Sequence, residues 1–325
     1  MTKLGLVLRG MAMGVAEVIP GVSGGTIAFI TGIYETLIKT VKSIDLDLIK
    51  LIFQFKLKDV WTKLNGSFLA PLVVGMLFGI ITGVFGATHL MENYPEALWA
   101  LFFGLILASV PYMLNQVKNK KVSLLLPFVI GAFIAYMVTS LSPAEGSLNY
   151  VYIFFAGMIA ISAFVLPGIS GSFMLLLMGL YTVIIPTLKA FFRSPEVSEF
   201  VLLAVFGLGC IAGLGLFSRL VSAAFEKYHD ITIAIMSGFM LGSLNKIWPW
   251  RNPALVLDKE EGVYTEINSS NILSTNFNDQ ALKIISETKV LPEAYFSDPK
   301  TLLVIISFLI GLTIIYLLFL SQRKA

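Results

Sequence analysis

Cysteine and histidine are nearly absent from this sequence, and charge of either sign is scarce. The one cysteine, Cys210, lies in an apolar run, which excludes a disulfide framework and a thiolate zinc site. The two histidines, His89 and His229, stand far apart, so neither a metal centre nor a cofactor is expected. Only 13% of the residues are charged and 57% are hydrophobic, where ordinary soluble domains carry about 25% charged residues. Lys and Arg number 23 against 20 Asp and Glu, a net charge of +3 that is too small to indicate a nucleic-acid partner. Lys3, Arg9 and Glu17 interrupt the apolar start, whereas a cleaved signal peptide has an unbroken apolar core, so this start is expected to be retained. These shortages point to an all-α polytopic membrane protein.

What is present is a series of apolar runs. A helix needs about 20 residues to cross roughly 30 Å of hydrocarbon. Ser67–Leu90, Ala97–Leu114, Val122–Leu141, Phe200–Phe225 and Thr301–Leu320 qualify, and His229–Ile247 does so weakly, with Asn245 and Lys246 intruding at its end. Two further apolar regions, Leu4–Ile38 and Tyr150–Ile185, are each broken by Pro-Gly-x-Ser-Gly. Their arms are too short to span comfortably, which suits re-entrant helical hairpins; two thin full spans joined by a surface turn are the alternative. Six lysines between Lys39 and Lys63, then Lys118, Lys120 and Lys121, alternate with connections that hold none. The positive-inside rule then puts both termini in the cytoplasm, in agreement with Arg323 and Lys324. Ile44–Leu64 mixes Leu, Ile and Phe with Lys and Asp and reads as an interfacial helix. The polar stretch at about 251–300 reads as an external lobe with little core.

The two interruptions are copies. Ile19-Pro20-Gly21-Val22-Ser23-Gly24-Gly25 aligns with Leu166-Pro167-Gly168-Ile169-Ser170-Gly171-Ser172 at an offset of 147. The likeness continues at an offset of 134, where Gly75, Gly79, Tyr94 and Gly104 meet Gly209, Gly213, Tyr228 and Gly238, and at 180, where Phe128 and Gly131 meet Phe308 and Gly311. The chain therefore divides into residues 1–141, with the interfacial helix at about 44–64, and residues 142–325, with the lobe. Each half holds one hairpin and three spans. Three is odd, so the halves form an inverted repeat, an arrangement in which transporters build a midplane site from broken helices.

At each break Pro ends the first arm, Gly frees the backbone, and Ser stands where an N-cap belongs. Helix starts at Ser23, Gly24, Gly25 and Thr26, and at Ser170, Gly171 and Ser172, are expected to present N–H groups to an anion such as phosphate; close packing is the competing reading. Arg9, Glu17 and Arg219 are charges inside apolar sequence, costly to insert. Either arginine could compensate an anion or snorkel to a surface. Glu17, beside the tip, reads as a proton carrier or a partner to an arginine, while Glu35 reads as interfacial.

Ala16-Glu17-Val18-Ile19-Pro20-Gly21-Val22-Ser23-Gly24-Gly25-Thr26 with Gly32-Ile33-Tyr34, and Leu166-Pro167-Gly168-Ile169-Ser170-Gly171-Ser172 with Gly179-Leu180-Tyr181, resemble the two signatures of a bacterial and archaeal membrane family formerly known as a domain of unknown function. That family is associated with polyprenyl-phosphate translocation. The resemblance implies a flippase in the bacterial cytoplasmic membrane. It would return undecaprenyl phosphate, a lipid-linked phosphate, from the outer to the inner leaflet for peptidoglycan and other envelope polymers. Membrane lipids are the other expected partners, and a homodimer stays open. Parts of both motifs also look like the membrane undecaprenyl-pyrophosphate phosphatase. That enzyme's second motif has an arginine where this chain has Gly171, which argues against hydrolysis because phosphoryl transfer leans on cationic stabilisation. An ion or small-anion transporter is the third reading.

Overall fold

The computed structural model describes residues 2–19, 22–141, 143–144, 146–194, 196–258, 264–268 and 282–323. Pro20, Gly21, Lys324 and part of the lobe lie outside them. The chain is mostly helical. The first broken region forms α1 (Lys3–Val18), α2 (Gly24–Ile30) and α3 (Tyr34–Lys42); α4 (Leu46–Phe53), α5 (Leu57–Lys63), α6 (Gly66–Asn93), α7 (Pro95–Leu114) and α8 (Leu125–Ser140) follow. The second broken region forms α9 (Tyr150–Val165), α10 (Gly171–Leu177) and α11 (Tyr181–Arg193), followed by α12 (Val197–Ser243). Strands β1 (Arg251–Asp258), β2 (Tyr264–Glu266) and β3 (Leu282–Lys289) precede α13 (Thr301–Arg323).

Among the described residues α6, α7, α8 with the turn before it, and α12 are long and apolar enough to cross a membrane. The α10–α11 pair, bent by 116° at its break, is a fifth candidate. At 47 residues, α12 would measure about 70 Å if straight, twice a bilayer's hydrocarbon core. It is interrupted at Tyr228 (φ −135°, ψ 48°), the position that matches Tyr94, where α6 gives way to α7.

Helix bounds recur at the offset of 147: α1 and α9, and α2 and α10, start and stop at equivalent residues, and α3 and α11 start at them. So do the turns that end the short helices. Gly32 (φ 72°) and Gly179 (φ 67°) each follow the helix in a left-handed conformation, with Ile33 N–H on Ala28 O and Leu180 N–H on Leu175 O at 3.0 and 2.9 Å. This is the Schellman geometry, which glycine adopts without steric cost.

Packing recurs as well. Gly10 abuts Leu72 O, and its equivalent Gly157 abuts Phe206 O; Gly75 abuts Val7 O, and Gly209 abuts Phe154 O. Gly131 with Ile235 O on α8 and α12 corresponds to Gly311 with Leu101 O on α13 and α7. At each place the glycine lets two helix backbones meet where a β-carbon would collide with a carbonyl, the small-residue mode of packing within membranes.

The chain forms two compact units, residues 1–90 with 109–246, and residues 91–108 with 247–325. The second contains the lobe, and here the all-α expectation is corrected. The strands form an antiparallel sheet in the order β2-β1-β3, with a register irregularity next to Pro253. Leu-Lys-Ile-Ile-Ser-Glu-Thr-Lys in β3 and the Ala-Leu-Val-Leu run in β1 have the β-branched, half-apolar character of strands; polar composition hid it. The unit has a small core of Ala100, Trp250 and Val304, flanked by Trp248, Val290 and Tyr295. The expected interfacial helix is also two helices. Phe55 turns the chain with φ 56°, and Asp45 clips the result: it accepts the Leu48 N–H at 2.9 Å as the cap of α4, and Lys63 Nζ from α5 at 2.6 Å.

Candidate functional site

All ten residues singled out as site candidates lie in the first unit. Ser23 opens α2 in an extended conformation, and its Oγ accepts the Gly25 N–H at 3.1 Å. The Glu17 carboxylate, in the last turn of α1, accepts the Gly24 N–H. Ser23 O takes the N–H groups of Thr26 and Ile27 at 3.0 and 3.3 Å. The first turn of α2 is therefore already satisfied. The open row of donors expected at this tip is occupied, with Glu17 filling the place expected for an anion.

The second tip has the same backbone plan and different chemistry. Gly168 adopts φ 90°, and a β-carbon there would lie 2.7 Å from Phe239 O, so the turn requires glycine. The repeat mate of Glu17 is Phe164, and no side chain caps α10. Ser170 is buried and its Oγ lies 2.9 Å from that of the exposed Ser172. Gly171 packs on Ala160 O, where a β-carbon would come within 2.6 Å; Met13 O stands in the same relation to Gly24, at 3.3 Å.

The two breaks touch. Ser23 Oγ donates to Phe164 O at 3.2 Å, and Gly168 N–H donates to Thr26 Oγ1 at 2.8 Å. A β-carbon on Gly25 would lie 2.6 Å from Val165 O and 3.1 Å from Phe164 O. Ser23, Gly25 and Thr26 thus dock on residues 164–168, with Glu17 and Gly24 directly behind. Ser23 and Thr26 are 1% and 0% exposed, so these hydroxyls link the halves and do not face solvent.

The charged candidates are dispersed. Arg9 is half-buried on α1, eight residues and so about 12 Å of helix rise before Glu17. Arg219 is exposed and donates to Gly215 O of its own helix at 2.8 Å, which folds the side chain back toward the N-terminal end of α12 and away from Glu226. Among the described residues no ion pair joins Glu17 to an arginine. The cation beside the second tip is Lys246, whose Nζ lies 4.7 Å from the centroid of the Phe173 ring. In the sequence it registers only as a flaw in a weak span, although a lysine inside an apolar run is itself a signal. Glu35 joins a separate cluster. His229 Nε2 lies 3.2 Å from its carboxylate, His229 Nδ1 lies 3.3 Å from Asp230, and Asp230 accepts the N–H groups of Lys118 and Asn119 at 3.0 and 2.9 Å.

The model of the undecaprenyl phosphate translocase-like family matches residues 13–265. The chain belongs to this family. It is 43% identical over 251 residues to a polyprenyl-phosphate transporter of Vibrio cholerae serotype O1, covering 77% of this chain and 79% of that one. It is 31% identical over 259 residues to a polyprenyl-phosphate transporter of Staphylococcus aureus, covering 75% and 85%. No solved structure matches the chain. The family match spans both tips, Arg219 and Lys246 and leaves Arg9 outside.

Proposed function

We propose that this protein is a flippase that returns undecaprenyl phosphate from the outer to the inner leaflet of the bacterial cytoplasmic membrane for envelope-polymer synthesis, with proton coupling. One observation carries the reading: two copies of one broken-helix motif meet backbone to side chain, and a carboxylate, Glu17, stands at the joint on one side only. An inverted repeat, with both termini cytoplasmic, would bring the tips in from opposite faces. Parting them would then open one polar notch to each leaflet in turn.

In this scheme the tip contact is the closed gate. When it parts, the Ser23 and Thr26 hydroxyls and the backbone of Gly24 and Gly25 face the phosphate from one side, and Ser170, Gly171 and Ser172 face it from the other. Lys246 supplies positive charge beside the second tip, and Arg9 and Arg219 remain as candidates deeper and nearer the cytoplasmic end. Glu17 takes a proton from the outer side, releases the Gly24 N–H to the phosphate, and gives the proton up inside. No covalent bond is made or broken, in keeping with relatives that are named transporters.

The test uses purified protein in liposomes with labelled undecaprenyl phosphate and an imposed pH gradient, reading head-group accessibility at each leaflet and released phosphate together. Inward movement without released phosphate is expected, and Glu17→Gln, which keeps an acceptor for Gly24 N–H, should abolish the dependence on the gradient. Unchanged pH dependence in this variant would remove the proton role. Hydrolysis of the pyrophosphate form would favour an enzyme, and neither result would leave an ion or small-anion transporter.

A further inference from the structure

We infer that an apolar groove beside the second tip seats the head-proximal part of the isoprenoid chain and selects prenyl over straight-chain lipid phosphates. This rests on the lipid-phosphate reading above and deepens it. The groove has a volume of about 300 Å³, the lower end of the range for ligand clefts. It has room for a few isoprene units and not for a whole undecaprenyl chain. Its walls include Val138 of α8, Ile159 and Ser162 of α9, and Leu166, Ile169 and Met174 of the second break.

Three features argue for a hydrocarbon occupant. Among the described residues the one hydroxyl in the wall, Ser162 Oγ, is spent on Met158 O at 2.7 Å and no charged side chain lines the space, so a hydrophilic solute finds no partner among them. The inner end of the groove is the tip itself: Leu166 and Ile169 bracket Pro167-Gly168, and the Ser170 and Ser172 hydroxyls follow, with Lys246 near Phe173. A molecule with its phosphate at those hydroxyls would lay the first part of its chain along these walls. The outer end is open, with Ile159 45% exposed. In the first copy Ile19, the equivalent of the half-buried Leu166, is 1% exposed and so closed over, while Ile169 and its equivalent Val22 are both buried.

The physical gain is selectivity. Lipid tails are as apolar as the groove, so a chain entering from the bilayer gains little from the hydrophobic effect. It gains dispersion contacts where its shape fits, and a chain with a methyl branch at every fourth carbon fits walls of Val, Ile, Leu and Met differently from a straight alkyl chain. Met174 adds an adaptable surface.

The experiment measures binding of geranylgeranyl phosphate and hexadecyl phosphate to the full chain in phosphatidylcholine nanodiscs. The wild type should prefer the prenyl compound roughly tenfold. Ser162→Phe and Ile159→Trp, which fill the groove from neighbouring positions of its α9 wall, should bring the ratio to about one while hexadecyl phosphate binds as before, which also reports that the variants are folded. Val151→Trp, at an exposed position of α9 outside the groove wall, should leave the preference intact. A wild-type ratio of one, a ratio unchanged in both filled variants, or an equal loss in Val151→Trp would overturn the groove assignment and leave the head-group reading standing. Failure of both phosphates to bind the wild type would overturn the lipid-phosphate reading itself.

Discussion

Replacing Gly25 with alanine is the most direct probe of the joint between the two breaks. The added β-carbon would lie 2.6 Å from Val165 O and 3.1 Å from Phe164 O, both backbone atoms that cannot rotate away. Relieving the closer clash to ordinary contact at 3.4 Å requires the tips to separate by about 0.8 Å. That shift would lengthen the Ser23–Phe164 and Gly168–Thr26 hydrogen bonds, now 3.2 and 2.8 Å, to roughly 4.0 and 3.6 Å, beyond useful geometry. Overpacking of this kind costs about 1–3 kcal/mol, against a helix-propensity gain of at most about 1 kcal/mol for Gly→Ala. Gly25→Ala should therefore unfold several degrees earlier in detergent and transport more slowly in liposomes. Gly207→Ala is the control, since a β-carbon there meets nothing within 4 Å. A Gly25→Ala protein as stable and active as the wild type would refute the docked-tip reasoning.

Two further outcomes are expected. Thr26→Val removes the acceptor for the buried Gly168 N–H and should cost about 1–3 kcal/mol, whereas Thr26→Ser keeps the oxygen and should cost less; denaturation of both variants decides it, and a Thr26→Val protein at least as stable as Thr26→Ser would show that the hydroxyl acceptor does not matter. The Asp45 carboxyl is held below its ordinary value, first by the Lys63 hydrogen bond and then by Leu48 N–H. A group lowered on folding stabilises above its unfolded value and loses that contribution as pH falls through the folded one. Wild type and Asp45→Asn should therefore differ most at neutral pH and converge in strong acid, and parallel thermal-unfolding curves down to pH 2 would contradict this.

How much of this was legible in the sequence depends on whether a feature is local. The breaks at 19–25 and 166–172 are local: Pro and Gly end a helix, Ser begins one, and Gly32 and Gly179 supply the left-handed turns, so their positions follow from residue chemistry alone. The glycines at 75, 79, 209 and 213 are also legible, though only as a repeat; that each one opens a backbone-to-backbone approach emerges from packing. The lobe strands are not legible because neither shows a clean apolar–polar alternation: β1 holds the short run Ala-Leu-Val-Leu and β3 ends in Ser-Glu-Thr-Lys. The turn at Phe55 went unread because a bulky residue with positive φ has no sequence signature. Lys246 needed a partner from α10, 73 residues away in the chain, before it became anything but an imperfection.

The asymmetry of the breaks ties these observations together. Duplication supplies two similar turns, and packing of one on the other consumes the first copy's hydroxyls: Ser23 and Thr26 face residues 164–168. The second copy keeps Ser170 and Ser172 paired only with each other in the described contacts, has no carboxylate in the position of Glu17, and lies next to a cation and an apolar groove. Under the transport reading, the two copies have divided the work. The second offers the phosphate and chain a place to rest, and the first supplies the carboxyl group whose bond to Gly24 N–H must break before its own notch can form. A carrier with two equal tips would have two equal resting places. Under that same reading, a single carboxyl at the joint lets a proton gradient bias which way the tips part.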